Sequence, residues 1–276
     1  MKFFKILLLS TFLFPLSCRS IAPEQHEKGI LKVEERPRPP VESKLNVATQ
    51  TRDARPIPIL RGEKADIFPP SWRQEAIDIQ GKAPSEKEFK AAYSIVTKAL
   101  QKYPLAILEE NLKRVYILSE LEFFGAKAGG TNSLEVLYLT KRSIQEGYTA
   151  EWVESAFHHE FSSILLRNFG NEIKLEWPKN LDKSFSYGTG GVNAIHANKA
   201  SKVWDDKLNA RGFLHQYATS SMEEDFNSFL DFLFSGDPKF WRRVERYPKL
   251  KAKCDLVIEF YYQLNPMFTR DYFMSF

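Results

Sequence analysis

Cysteine is scarce in this chain, whose 276 residues include only Cys18 and Cys254. Cys18 closes a short apolar leader, whereas Cys254 lies in a stretch with a helical apolar pattern, so we expect no disulfide bond between them. Without cross-links the fold must be stabilised by a hydrophobic core. We therefore interpret Cys254 as a small buried side chain.

Blocks of basic residues are also lacking. The formal net charge is +4, and no run of Lys and Arg interleaved with aromatic residues occurs. Binding to nucleic acid normally depends on such a basic patch. The sequence therefore predicts no nucleic-acid partner.

A hydrophobic run long enough for a permanent membrane helix is missing at the amino terminus. Residues 6–16 form a shorter apolar run after Lys2 and Lys5, which is typical of an export signal. The run leads to Ser17 and Cys18, a pattern similar to a bacterial lipobox, although Pro15 stands where leucine is usual. We predict a signal peptide over residues 1–18 with lipid on Cys18. This places the protein in a bacterial cell envelope, with the outer membrane as the expected site. Ordinary secretion is the alternative.

Regular apolar periodicity is absent between residues 19 and 70, where eight of the fifteen prolines fall. This composition predicts a disordered tether. Residues 71–276 are then left for one globular domain with a substantial core.

The domain begins with a capping box at Ser85, which predicts a helix to about Lys102, and Pro104 is placed to start a second helix. Two runs rich in β-branched and aromatic residues, 115–124 and 134–139, predict paired strands around a turn at residues 129–133. Later segments carry helical patterns, and residues 180–200 predict a long loop. The expected fold class is α+β.

A second histidine is missing from the stretch that carries the most chemistry. His159 and Glu160 match the start of the zinc-protease motif H-E-x-x-H, but Ser163 stands at the position of the second histidine. Thr149 and Gly170 predict the ends of the helix that carries this stretch. His159 is a candidate zinc ligand and Glu160 a candidate general base. The alternative is an ion pair between Glu160 and Arg167, with His159 as a packing residue.

A candidate third zinc ligand, Glu224, follows His159 after 65 residues. In gluzincin-type proteases a glutamate from a downstream helix completes the metal site. Ser221 and Glu224 also form a capping-box pattern, so Glu224 could instead fix the start of a helix.

These stretches together resemble the zinc-binding metallopeptidases found among bacterial envelope lipoproteins, over about residues 84–234. The resemblance implies a zincin-like fold, with a small sheet packed on the motif helix and a mostly helical carboxyl half. It implies zinc ligands at His159 and Glu224 and a general base at Glu160. The chain departs from the family pattern at Ser163 and at Ser228, which stands where the family has a second glutamate.

Three hypotheses follow from these departures. A metallopeptidase homologue could bind zinc weakly, completing its shell from His158, His196 or His215. A pseudopeptidase could use the same cleft without catalysis to bind a peptide, a glycan or an envelope protein. A structural lipoprotein could use the motif residues for packing alone. Two protein ligands are fewer than a catalytic zinc site uses, so peptide-bond hydrolysis and zinc binding are both in doubt.

The lipobox predicts that Cys18→Ser releases the protein from membranes, because the substitution removes the residue that would carry the lipid. Membrane and soluble fractions of cells that produce either form would be compared by immunoblot. Equal solubility of the two forms would contradict the anchor.

Overall fold

A computed structural model describes residues 57–62 and 65–276. The predicted signal peptide, Cys18 and most of the predicted tether lie outside these ranges. Among the described residues, none of the helices combines the length and apolar character needed to cross a membrane.

Seven strands and ten α-helices make up the described part of the chain. The strands are β1 (Ile59–Arg61), β2 (Gln80–Lys82), β3 (Arg114–Leu118), β4 (Glu120–Phe123), β5 (Ala126–Lys127), β6 (Gly130–Asn132) and β7 (Val136–Thr140). The helices are α1 (Glu86–Leu100), α2 (Leu105–Asn111), α3 (Ala150–Phe169), α4 (Asn171–Glu176), α5 (Gly191–His196), α6 (Asp206–Ala210), α7 (Met222–Leu233), α8 (Pro238–Arg246), α9 (Pro248–Leu264) and α10 (Arg270–Met274). The predicted α+β class is confirmed.

The larger sheet has the strand order β1-β3-β7-β6. The first three strands are parallel, and β6 pairs antiparallel with β7, so that Thr131 lies opposite Tyr138. The prediction of a turn over residues 129–133 is wrong for the three central residues. Residues 130–132 form β6, the edge strand of the sheet, which lies against α3.

The two predicted strand runs are present and do pair, although in parallel and not across a turn. The run 115–124 is divided at Ser119 into β3 and β4, and β4 joins a second sheet of order β2-β4-β5. β3 and β7 are parallel neighbours, not the two arms of a hairpin. The apolar pattern of β3 is that of a strand covered on both faces, and such patterns do not fix strand direction.

The globular part begins earlier than predicted. Ile59 in β1 lies opposite Val115 in β3 and is buried, and Phe68 is buried in a small core cluster with Tyr138. The prediction that the globular domain starts at residue 71 and the tether ends at residue 70 is therefore corrected. Two prolines, at 56 and 58, precede β1, and the extended preference of proline suits an edge strand as well as a tether.

The helix ends follow the predicted capping signals. Ser85 caps α1 with a complete capping box, and Thr149 accepts a hydrogen bond from the Trp152 N–H at the start of α3. α3 then runs to Phe169, next to Gly170. The segment 180–200 is not the uninterrupted loop that was predicted, because it contains α5.

α3 is the centre of the packing. It lies against β6 and β7 on one side and against α1 and α7 on others. Phe157, Phe161 and Ile164 are fully buried on its core face. Because a helix with neighbours on several sides can bury polar residues between them, α3 is able to hold a polar site inside the fold.

Candidate functional site

His159 lies near the middle of α3, and its ring reaches α7. Nδ1 of His159 lies 3.0 Å from Oδ1 of Asp231, and Nε2 lies 3.0 Å from Oε2 of Glu224. The His159 side chain is 9% exposed. Both ring nitrogens are therefore hydrogen-bonded to carboxylates in a site nearly closed to water.

Glu224 lies in the first turn of α7, where its backbone N–H donates to the Ser221 hydroxyl oxygen. Its carboxylate does not cap the helix but accepts from His159 and, at 2.9 Å, from the Tyr217 hydroxyl. Gly191 leaves room for this pair, because a Cβ there would lie 2.6 Å from Glu224 Oε1. The structure thus brings His159 and Glu224 together as expected.

Asp231 was missed in the sequence. It lies two turns after Glu224 on α7, so the two carboxylates lie on the same side of the helix. Its second oxygen accepts a hydrogen bond of 2.9 Å from Lys202 Nζ. In the family pattern a second glutamate stands at position 228. This chain has Ser228 there, and the Ser228 hydroxyl donates to the Glu224 carbonyl oxygen. An acidic residue at i+7 from Glu224 in an otherwise apolar stretch was the available signal.

The charges of this network balance. Burial alone would lower the pKa of His159, but the Asp231 and Glu224 carboxylates outweigh burial and raise the pKa to about 10. Burial opposes ionisation of Asp231 as well, yet Lys202 and His159 hold its pKa well below the usual range. Hydrogen bonding to His159 lowers the pKa of Glu224 against the effect of burial. At neutral pH two cations therefore face two carboxylates.

Glu160, the next residue on α3, points to β6. Its Oε2 accepts a hydrogen bond of 2.8 Å from the Asn132 amide, and Asn132 Oδ1 in turn accepts from Arg167. The alternative of a direct ion pair between Glu160 and Arg167 is therefore corrected: Asn132 lies between them. Gly130 packs on the same carboxyl, since a Cβ there would lie 3.1 Å from Glu160 Cγ. Burial raises the pKa of Glu160 to about 7.

The position of the missing histidine is filled by a serine and an amide. Ser163 Oγ accepts a hydrogen bond of 2.7 Å from Asn227 Nδ2, and Asn227 Oδ1 accepts from the Ser162 hydroxyl. All three residues are buried. Asn227 and Ser162 were not identified from the sequence, because a single amide carries no pattern. Together the side chains of Ser162, Ser163 and Asn227 stand where a second imidazole would lie, and they form a neutral hydrogen-bonded cluster.

The other histidines do not supply a ligand in this arrangement. His158 stacks on Phe234 with ring centroids 4.1 Å apart, and its Nδ1 lies 2.9 Å from the Tyr103 hydroxyl. His196 Nε2 lies 3.0 Å from the Phe124 carbonyl oxygen. His215 Nδ1 accepts from the Ala218 N–H. Each ring thus has a contact of its own, and Nε2 of His158 and of His215 is buried without a hydrogen bond to a described residue.

These residues do not fit a catalytic zinc ion. Across the part of the chain that the structure describes, no three His, Cys, Asp or Glu side chains are grouped to hold a metal. Zinc binds neutral imidazole, so the ion would have to displace the proton in the hydrogen bond between His159 Nε2 and Glu224. Glu224, the expected second ligand of the zinc, accepts the hydrogen bond from His159 Nε2.

Comparison with known proteins gives a structural likeness. No protein-family model and no curated protein matches the chain. Among solved structures, the chain is similar to a putative zinc-binding metallo-peptidase from Bacteroides caccae, at 13% sequence identity and a TM-score of 0.48. The match covers 79% of this chain and 83% of the other.

The raised pKa of Glu160 predicts a pH dependence of stability. Above pH 4.5 the unfolded carboxyl loses its proton, whereas the folded one keeps it to about pH 7, so the free energy of unfolding falls over this range. Glu160→Gln keeps an oxygen acceptor for Asn132 and removes the ionisation. We expect its stability to rise relative to the wild type by ~1–3 kcal/mol between pH 4.5 and 7. Urea unfolding at several pH values measures the difference, with the exposed Glu172→Gln as control. Parallel curves for the wild type and Glu160→Gln would contradict the assignment.

Proposed function

We propose that this chain is a zinc-metallopeptidase-like protein that binds an extended peptide beside α3 without hydrolysing it. One observation carries the loss of hydrolysis: Ser163, four residues after His159, is buried and hydrogen-bonded to Asn227. A zinc protease needs a third protein ligand to hold the ion that activates water. Here that ligand position belongs to a buried neutral cluster.

The contacts of Glu160 fit the same proposal. Burial raises the pKa of Glu160 to about 7, a value that suits a general base, so the loss of hydrolysis does not come from Glu160 itself. It comes from the third ligand position, which a metal-bound water beside Glu160 would require. In the proposed role Glu160 is a polar contact beside β6 through its hydrogen bond with Asn132.

β6 supplies the backbone for peptide binding. It is the edge strand of the larger sheet. Gly129 and Ser133 form backbone hydrogen bonds with β7, at the Thr140 N–H and the Val136 carbonyl. In an antiparallel pair the residues between such bonds turn their N–H and C=O groups to the opposite side. Gly130 and Asn132 therefore direct these groups away from β7, where an added strand pairs with them.

The side chains of β6 place such a peptide next to the polar network. Gly130 and Asn132 lie on one face of the strand, and both contact Glu160. A peptide added to this edge passes the Glu160 carboxyl and the nearby network of His159 and Glu224. Of the three ligand classes considered, a peptide is favoured over a glycan or a folded envelope protein because the recognition element is an open strand edge.

The cellular setting belongs to the same proposal. A leader that ends at Cys18 and the proline-rich segment that follows support an exported lipoprotein of a bacterial envelope, held to a membrane by its lipid. A tether would let the peptide-binding domain reach partners away from the membrane surface.

Two substitutions at one position test peptide binding at β6. Gly130→Pro removes the outward N–H, whereas Gly130→Ala keeps it and adds the same Cβ next to Glu160. We expect peptides selected from an immobilised library by the wild type to bind Gly130→Pro about tenfold more weakly than Gly130→Ala, because a backbone hydrogen bond is lost. Fluorescence anisotropy measures the affinities, and thermal unfolding checks that both variants fold. Equal affinities of two folded variants would exclude this binding mode.

A further inference from the structure

A second concave surface lies on the far part of the carboxyl-terminal half, outside the network around His159. It is a groove of about 920 Å³ between α8, α10 and the segment before α6. Five of its nine lining residues are cationic and one is acidic, while two tryptophans and a methionine supply apolar walls. The sequence showed no basic and aromatic patch because these residues come from three separate segments.

The tryptophan walls are held in place by two arginines. The Arg243 guanidinium lies 4.6 Å from the Trp204 ring centroid and donates to Asp206 and Asn209. The Arg270 guanidinium lies 5.3 Å from the Trp241 ring centroid. Arg270 is also paired with acidic residues, Glu245 and Asp255. These contacts fix the walls and satisfy the charges of both arginines.

Three further cations form no ion pair with a described residue, and of these Arg246 lies 5.2 Å from the Tyr247 ring centroid. Lys239, Arg242 and Arg246 are exposed on α8, and none forms a salt bridge with another described residue. Along the helix axis they are separated by about 4.5 Å and about 6 Å. Like charges three and four residues apart destabilise a helix, so this row costs stability in the free protein. A bound anion would remove that repulsion.

We propose that this groove binds a short acidic peptide segment of a partner protein, in which carboxylates alternate with apolar side chains. The carboxylates pair with Lys239, Arg242 and Arg246, for which the planar guanidinium offers two parallel hydrogen bonds. The apolar side chains lie against Trp204, Trp241 and the exposed Met274. Tryptophan, arginine and methionine are the residue types enriched at protein interfaces, and methionine adapts to different partners.

The shape and the occupied ring faces favour this ligand over others. A concave groove suits a segment of chain better than the flat surface of an anionic membrane. Bases of a nucleic acid and rings of a sugar bind by stacking on open aromatic faces. At Trp204 and Trp241 an arginine already lies over the ring. An acidic peptide needs only the free cations and the apolar edges.

This proposal does not rest on peptide binding at β6, because it uses different residues and a different kind of recognition. Its test uses the full-length protein and a fluorescent synthetic peptide in which glutamate and leucine alternate. We expect saturable binding, and we expect K239Q/R242Q/R246Q to weaken it about tenfold or more, because three charged contacts are lost. The matched control is K87Q/K98Q/K174Q, which removes three other exposed lysines that form no salt bridge with described residues. It should bind like the wild type.

Several results would overturn the proposal. Equal affinity of the wild type and K239Q/R242Q/R246Q would show that the groove is not the site. Equal binding of a lysine and leucine peptide would show that charge plays no part. A heparin hexasaccharide or phosphatidylglycerol vesicles that bind through these residues when the acidic peptide does not would assign the groove to a glycan or a membrane. Thermal unfolding of each variant confirms that the fold is intact.

Discussion

The His159 ring held between two carboxylates is the interaction on which the rest of the site depends. Removing a charge from water costs several kcal/mol unless partners compensate for it. Asp231 and Glu224 compensate for His159 on its two nitrogens, and Lys202 compensates for Asp231. The network is therefore neutral and fully hydrogen-bonded with protein groups alone. In a zinc site the ion would supply the positive charge that these carboxylates require, and here His159 and Lys202 supply it.

The fold brings these groups together by packing α3 between the sheet and α7. The apolar face of α3 places His159 toward α7 and Glu160 toward β6, so consecutive residues serve two surfaces. Glycines at 130 and 191 allow neighbouring segments to approach the two glutamates more closely than any side chain would permit. β6 at the sheet edge lies beside this polar network. The proposed peptide binding without chemistry rests on this arrangement.

Local signals in the sequence predicted where helices begin. They failed for residues whose role depends on contacts with a distant element. Ser85, Thr149 and Ser221 marked helix starts correctly, because a cap acts within one turn. The link from His159 to Glu224 was anticipated from the resemblance of the two stretches to gluzincin-type proteases. Asp231, Asn227 and Asn132 were missed, because an isolated polar residue gains its role only from a partner on another element. β1 was assigned to the tether since its neighbouring prolines suit either state, and only pairing with β3 distinguishes them.

The central claim is that protein side chains neutralise the site without a metal, and calorimetric titration with zinc tests it most directly. The wild type at pH 7 should take up no stoichiometric zinc, because only two of the expected ligands remain and both nitrogens of His159 are hydrogen-bonded to carboxylates. S163H/N227A supplies a second imidazole and clears the amide beside it, so it should gain a site that competes for His159. Binding of one zinc per chain by the wild type, abolished by H159Q and by E224Q, would contradict the account.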